Sequence, residues 1–337
     1  MYNKKAQGSP VFKYIFAIVA GVLFISFFIG FAMQHKSGQT LIETGRIVYG
    51  FDDLLTLVST AEDSSLIYPE QGFPGTVELT FTGDKITSGS GEGKIEKPTT
   101  KTIFSQKQLS GKQFSIWTKR WKMPFTIDSF FYISDGRALT YIIYDASTEE
   151  IAEELTDKFS GFPKTFKVDK LREDQLDKQT LASIRAKATD YAKIRFAILS
   201  SKQPALYQGA EKIKLESAEI EGEETWEYGT VEYGSGDTSI FLGKEMLIGA
   251  ILAEDQESYE KSKEKAMEKL TIMSRLYGQK AGLLEKTCPQ EYISIKQKLK
   301  TLEETEPDQS TLENFALQVE DIKNANRQFE GGCPEVF

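Results

Sequence analysis

Residues 139–150, LTYIIYDASTEE, decide the fold of the central part of this chain. The first half, Leu139–Tyr144, is a run of apolar, aromatic and β-branched residues, which is typical of a strand buried on both faces. The pattern Ser147-Thr148-Glu149-Glu150 then resembles a capping box, which predicts the start of a helix. A buried strand that leads directly into a capped helix is the first half of a β–α–β unit. The segment therefore predicts a parallel sheet covered by helices.

The same alternation continues along the chain. A helical stripe runs through Leu176, Ile184, Ala188 and Tyr191. Strands are predicted at Phe166–Val168, Ile194–Leu199, Thr225–Tyr233, Ser239–Leu242 and Leu247–Ala253. We therefore expect residues 129–257 to form an α/β domain with a mainly parallel sheet.

The region before this domain has a different pattern. Residues 34–48 are polar and mixed, as in a short stalk. Val77–Phe81 and Phe114–Trp117 alternate apolar and polar residues with the period of a half-buried strand. Gly83–Thr100 is rich in Gly, Ser, Thr and Lys, which predicts a long exposed loop or a loose hairpin. Residues 34–128 are thus predicted to be a stalk followed by a small β-rich domain.

The last part of the chain, residues 258–337, is predicted to be helical, so that the fold class is α+β overall with an α/β central domain. A long amphipathic helix is expected over Ser258–Lys286, followed by two shorter helices through Tyr292–Leu302 and Leu312–Ile322. The second short helix would begin at a capping box that starts with Ser310. A short connection makes these two helices an antiparallel hairpin, for which we expect a core of its own.

The two cysteines flank this hairpin. Cys288 precedes its first helix and Cys333 follows its second, so folding of the hairpin brings the two residues together. In an oxidising compartment they would form a disulfide. The alternative is two unrelated buried thiols.

The composition restricts the classes of ligand. The net charge is −9, and none of the 50 acidic but four of the 41 basic residues lie in the first 40 positions. The remainder has a net charge of −13, which argues against binding to nucleic acid. The single histidine, His35, and two distant cysteines do not supply a zinc site. The glycine-rich stretch at 89–94 lacks the Walker and dinucleotide patterns, and no Asp-rich loop has EF-hand spacing. No metal or other cofactor is therefore predicted, and a calcium or magnesium site made of carboxylates alone is the alternative that stays open.

A lipid bilayer is the first predicted partner. Residues 14–33 carry no charge and would span about 30 Å as a helix, the thickness of a hydrocarbon core. The run is longer than the ~7–15 apolar residues of a cleaved signal peptide, which favours an uncleaved anchor. Lys4, Lys5 and Lys13 precede it, so the positive-inside rule places residues 1–13 in the cytoplasm and the body outside, as in a single-pass cell-membrane protein.

The start Lys4-Lys5-Ala6-Gln7-Gly8-Ser9, followed directly by the apolar segment, resembles the class III signal peptides of archaeal pilin-like proteins. The resemblance implies a cut before the apolar segment and packing of the helix into a filament. Five residues beyond a cut after Ala6, where that family usually has glutamate, this chain has Val11. A lysine-led anchor before a Lys/Glu-rich body also resembles uncharacterised archaeal single-span membrane proteins.

Two groups of residues are candidates for ligand binding. Trp117, Lys119, Arg120 and Trp121 form a basic aromatic cluster, which could stack on sugars or face anionic headgroups. The alternative is that the tryptophans pack between the β-rich and α/β domains. The second candidate is Asp145, because α/β folds place ligands at the carboxyl ends of their strands.

These features favour a membrane-anchored extracytoplasmic binding or structural protein, whose partner would be a protein or a cell-surface polymer. One alternative is an extracytoplasmic enzyme that works through carboxylates in the α/β domain, since without a usable histidine any acid–base work would fall on carboxylates or lysine. Another is a pilin-like filament or surface-assembly subunit.

Overall fold

The computed structural model describes two residues of the predicted anchor and most of the chain after residue 43. The described residues are 25–26, 44–61, 63–89, 94–160, 167–187, 191, 193–200, 211–220, 223–253, 255–286, 288–327 and 333–337. Within these ranges, no helix is both long and apolar enough to cross a membrane. Apart from Ile25 and Ser26, the predicted anchor at residues 14–33 lies outside the described residues, as does the N-terminal segment before it.

A helix, α1, and two small sheets form the first described region. Helix α1 covers residues 44–58. The strands are β1 Ser65–Tyr68, β2 Val77–Phe81, β3 Lys85–Ser88, β4 Ile95–Pro98, β5 Thr102–Ser105, β6 Gln108–Gly111, β7 Phe114–Lys122 and β8 Thr126–Ser134. One sheet is antiparallel, with the order β4-β3-β2-β6. The other has the order β1-β7-β8-β5, in which β5 is parallel to β8.

The predicted strands of this region are confirmed. Phe51 of α1 is fully buried and contacts the rings of Phe81 and Phe114, with centroids 6.1 and 6.2 Å apart. Of the two predictions for Gly83–Thr100, the hairpin is confirmed: β3 and β4 pair antiparallel, with Lys85 opposite Pro98. Residues 90–93, at its tip, lie outside the described residues.

The central region contains a six-stranded sheet. Its elements are β9 Ala138–Tyr144, α2 Glu149–Ser160, β10 Lys167–Arg172, α3 Lys178–Lys187, β11 Lys193–Ile198, β12 Glu211–Ile220, β13 Glu223–Tyr233 and β14 Thr238–Leu242. The strand order is β10-β9-β11-β12-β13-β14. Strand β9 has a parallel neighbour on each side, and β11 is also parallel to β12, which confirms the β–α–β prediction. The last two pairings are antiparallel, so that the sheet is mixed.

The predicted strand at Leu247–Ala253 is wrong. This stretch belongs to helix α4, Lys244–Leu252, in which every residue from Met246 to Leu252 is buried. A helix buried on all sides has no polar face and therefore no 3.6-residue hydrophobic period. A short apolar run of this kind does not distinguish a buried helix from a buried strand.

Three further helices complete the chain: α5 Gln256–Leu284, α6 Pro289–Glu304 and α7 Leu312–Arg327. The predicted disulfide is confirmed, with Cys288 and Cys333 bonded and their Cα atoms 6.3 Å apart. Because Cys288 lies directly before α6 and Cys333 follows α7, the two helices form the expected hairpin.

The expectation that this hairpin has a core of its own is wrong. One hydrophobic cluster includes Leu299 and Phe315 of the hairpin, Leu247 of α4, Ile142 of the sheet and Trp121 of β7. The final residue contributes as well. The ring centroid of Phe337 lies 5.1 Å from that of Phe125 and 5.5 Å from that of Tyr277. Phe337 therefore packs against both the turn between β7 and β8 and helix α5.

Candidate functional site

The direction of the chain connections reverses at β9. From β9 the chain passes through α2 to β10 on one side, and then through α3 to β11 on the other side. In open α/β sheets, ligands bind outside the carboxyl ends of the strands at such a reversal. The carboxyl ends of β9 and β11 lie together here, since the backbone N–H of Leu199 donates to the carbonyl of Ile143 at 2.8 Å.

A cavity of about 400 Å³ lies at this place, at the lower end of the range for small-molecule sites. We call it the switch-point crevice. It is lined mainly by polar side chains from four separate segments: Ser147, Thr148, Ser200, Lys214, Glu216, Ser217 and Trp226, together with Leu199 and Leu215.

The first wall is the turn between β9 and α2. The Oδ1 atom of Asp145 accepts the backbone N–H groups of Ser147 at 2.9 Å and Thr148 at 3.2 Å. The N–H of Asp145 in turn donates to Oγ1 of Thr148 at 3.1 Å. Because the carbonyl of Thr148 accepts the N–H of Ala152, Thr148 is the N-cap of α2. The helix was predicted correctly, but its cap lies one residue later than the capping box implied.

The second wall is formed by the ends of β10 and β11. Ser200, which follows β11 and is 1% exposed, donates its hydroxyl to the carboxylate of Glu173, which follows β10. Since β9 lies between β10 and β11, this hydrogen bond crosses the carboxyl end of β9. It fixes the floor of the crevice.

The third wall comes from β12. The ammonium of Lys214 binds the carboxylate of Glu216, which also accepts the hydroxyl of Thr230 at 3.3 Å. The two charges of the ion pair offset one another, so that this wall presents both donors and acceptors without a net charge.

The fourth wall depends on an irregularity in strand pairing. Ser217 of β12 pairs with Gly229, whereas the next residue pairs with Thr225, so β13 bulges over residues 226–228. Bulges commonly redirect a side chain beside a functional site. Here the half-buried Trp226 lines the crevice. At this bulge the backbones of β12 and β13 approach each other closely, and Gly229 allows it because an added Cβ would lie 2.0 Å from the carbonyl oxygen of Glu216.

The predicted basic aromatic cluster lies elsewhere. Trp121 is fully buried, stacks on Phe130 with ring centroids 5.0 Å apart, and donates its indole N–H to the carbonyl of Leu242 at 2.9 Å. Trp117 is 3% exposed. The packing alternative therefore describes both rings: Trp121 packs between β7 and the end of β14, and Trp117 packs against Tyr132 of β8.

The cations of that cluster lie at the surface. Lys119 forms an ion pair with Asp63 at 2.9 Å, and its Nζ lies 5.1 Å from the ring centroid of Trp117. Arg120 lines a different depression, beside Asp128 and Lys269. Of the five predicted binding residues, only Asp145 thus lies next to the switch-point crevice.

Among the described residues, Cys288, Glu291 and Cys333 are the one group whose donor atoms lie close enough to hold a metal ion. The two sulfurs are bonded to each other, which leaves no thiolate as a ligand. This group therefore has the chemistry of a disulfide rather than that of a metal centre.

Comparison with family models, with curated protein sequences and with solved structures found no match for this chain. What the crevice binds therefore has to be inferred from its own residues.

Proposed function

We propose that the protein is a membrane-anchored binding protein whose body lies outside the cytoplasm, with the switch-point crevice as its ligand site. The observation that carries this proposal is the position of the crevice. A cavity lined mainly by polar side chains lies where a parallel sheet reverses its connections, which is where such folds bind ligands.

Two features support the location. The apolar run at residues 14–33 follows three lysines, as in an anchor whose N-terminus is cytoplasmic. The bond between Cys288 and Cys333 is typical of an oxidising compartment outside the cytoplasm.

The partners of the nearby acids favour binding over catalysis. An enzyme that works through carboxylates needs an acid positioned on its substrate. Around the crevice, Asp145 binds Ser147 and Thr148, Glu173 binds Ser200, and Glu216 binds Lys214. Each carboxylate thus holds a neighbouring part of the protein.

A serine–lysine pair outside the crevice does not favour catalysis either. The ammonium of Lys263 lies 3.2 Å from the hydroxyl of Ser239, the arrangement used by some hydrolases. Lys263 also pairs with Glu260 at 2.6 Å, and the hydroxyl of Ser239 donates to the same carboxylate. The proton of Ser239 is therefore directed at Glu260 and not at Lys263.

The location is tested by adding protease to intact cells. We expect loss of the body, detected with an antibody against the C-terminal hairpin, and loss of the same signal after lysis. Protection in intact cells followed by digestion after lysis would place the body in the cytoplasm.

The site is tested with the full-length protein and a defined panel of neutral sugars, carboxylic acids, amino acids and polyamines. We expect at least one panel member to slow hydrogen exchange in β12 and β13 near Ser217 and Trp226. Substitution Ser217→Phe should abolish that protection by filling the crevice. Protection that persists in this variant would move the binding site elsewhere.

A further inference from the structure

The crevice contains two polar groups that no described residue of the protein binds. Within the described part of the chain, neither the hydroxyl of Ser217 nor the indole N–H of Trp226 has a hydrogen-bond partner. Both residues line the crevice, and Trp226 is half-buried. An amphipathic ring beside an unused hydroxyl offers an apolar surface together with a donor and an acceptor.

The helix terminus at the crevice argues against an anionic ligand. Helix N-termini bind phosphate because their free backbone N–H groups and the helix dipole attract negative charge. At α2, the carboxylate of Asp145 already lies at this terminus and accepts the N–H groups of Ser147 and Thr148, the two residues before the helix. Glu149 and Glu150 in the first turn add negative charge. A phosphate or carboxylate would therefore meet three groups of like charge.

The wall from β12 argues for a neutral ligand rich in hydroxyl groups. Lys214 and Glu216 form an ion pair, so neither charge requires a counter-charge from the ligand. Exposed oxygen atoms of Glu216 and ammonium protons of Lys214 nevertheless remain close together as acceptors and donors. A sugar hydroxyl both donates and accepts hydrogen bonds. Neighbouring hydroxyls of one sugar can therefore bind the oxygens of Glu216 and the ammonium of Lys214 together.

We infer that the switch-point crevice binds a neutral saccharide, with one face of the sugar ring on Trp226 and its hydroxyls on Ser217, Glu216 and Lys214. This inference rests on the proposed function and specifies its ligand. The saccharide is either a free sugar or a unit of a longer surface glycan, since both present the same ring and hydroxyls.

The experiment uses full-length protein in a detergent without a sugar headgroup. Neutral hexoses and N-acetylhexosamines, as monomers and as short oligomers, are titrated beside hexuronic acids, hexose phosphates and hexosamines. Intrinsic fluorescence is a suitable signal, because Trp117 and Trp121 are buried and Trp226 alone faces the crevice. We expect the neutral sugars to bind at least about tenfold more tightly than their anionic counterparts. Tighter binding of oligomers than of monomers would identify the glycan source.

Variants decide whether binding occurs at the predicted residues. Trp226→Ala should weaken binding of the neutral sugar about tenfold or more, and Trp226→Phe less, because phenylalanine keeps an aromatic face. Ser217→Ala should weaken it about three- to tenfold. These titrations use calorimetry, since Trp226 is also the fluorescent reporter. The remote substitution Asp308→Ala is the control and should leave the affinity unchanged.

The outcomes separate this inference from the proposed function. Preferential binding of a charged panel member in the crevice would overturn the saccharide inference while the binding function stands. Sugar binding that survives Trp226→Ala would overturn it as well. Absence of any ligand-dependent protection in β12 and β13 would overturn both.

Discussion

Helix α4 and the switch-point crevice differ in the hydrogen bonding of their polar side chains. Around α4, buried donors bind the backbone carbonyls of the chain: Tyr259 binds Ile240, Trp121 binds Leu242, Tyr132 binds Glu245, and Arg195 binds Leu252 and Ala253. Burial raises the pKa of Tyr132 and Tyr259 well above the usual value, so both remain protonated donors. In the crevice, Ser217 and Trp226 have no such partner in the described part of the chain.

This difference indicates that the polar groups around α4 contribute to stability, whereas those in the crevice are available for ligand binding. A buried polar group without a partner is costly, which accounts for the hydrogen bonds that these donors make to backbone carbonyls around α4. A partly exposed group can keep its hydrogen-bonding capacity for a ligand, because water satisfies it meanwhile. Substitutions around α4 should therefore change the free energy of unfolding, and those in the crevice should change affinity.

The largest effect is expected from the disulfide, because the hairpin shares the hydrophobic cluster of α4. The bond joins residues 45 positions apart, and its loss should lower the free energy of unfolding by about 4 kcal/mol. Denaturant unfolding of the Cys288→Ala/Cys333→Ala variant measures this change. We expect a single transition that includes the sheet. A separate early transition of the hairpin would show that its part of the cluster unfolds independently.

Two helical glycines provide a matched test of packing around α4. An added Cβ at Gly249 would lie 2.5 Å from the ring of Phe104, whereas at Gly278 of α5 it would lie 3.9 Å from Leu299. Gly249→Ala should lower the free energy of unfolding by about 3 kcal/mol through overpacking. Gly278→Ala should raise it by up to about 1 kcal/mol, because alanine favours the helix. Equal effects at both positions would show that the space around α4 is not limiting.

The two tryptophans provide a second pair. Trp121→Phe removes the donor to Leu242 and leaves a buried carbonyl unsatisfied, which should cost about 2 kcal/mol. Trp226→Phe should change the free energy of unfolding by no more than about 0.5 kcal/mol, since its N–H has no partner in the described chain. Chemical denaturation of both variants measures the difference. A comparable loss at Trp226 would give that ring a structural role.

The sequence predicted the parts of the fold that depend on local pattern. Leu139–Tyr144 and the helix after it were found because a buried strand and a cap are both visible within twelve residues. The position of Asp145 at the carboxyl end of this strand was predicted for the same reason. Leu247–Ala253 was misassigned because complete burial removes the period that distinguishes helix from strand.

The remaining walls of the crevice could not be predicted in this way. Ser217 and Trp226 both line the crevice because the register of strand pairing changes at the bulge between β12 and β13. One local signal was present: an isolated glycine within a strand, Gly229, is typical of a bulge or a close approach of backbone. For Trp117 and Trp121 the sequence does not distinguish burial in the core from stacking on a ligand, because the neighbouring residues in the strand are the same in both cases.

The smallest effect concerns a motif that occurs twice. Asp145-Ala146-Ser147-Thr148 precedes α2, and Asp308-Gln309-Ser310-Thr311 precedes α7. In the second copy, Oδ1 of Asp308 accepts the N–H groups of Ser310 at 2.8 Å and Thr311 at 2.9 Å, and the N–H of Asp308 donates to Thr311. As at α2, the helix begins one residue later than the predicted capping box. Hydrogen bonds from Ser310 and Thr311 hold the pKa of the Asp308 carboxyl below its usual value.

Because the two turns are alike, Asp145→Ala and Asp308→Ala should lower the midpoint of thermal unfolding by a similar amount, roughly 2 °C each. For Asp308, whose carboxyl pKa is lowered in the folded protein, this contribution is present above the unfolded pKa and is lost as the pH falls through the folded pKa. The turns differ only in their surroundings, since Ser147 and Thr148 line the crevice. Asp145→Ala should therefore also weaken ligand binding several-fold, by loosening that wall, whereas Asp308→Ala should not. Calorimetric titration of the two variants against the same ligand makes the comparison, and an equal loss of affinity in both would show that the effect reaches the site through stability alone.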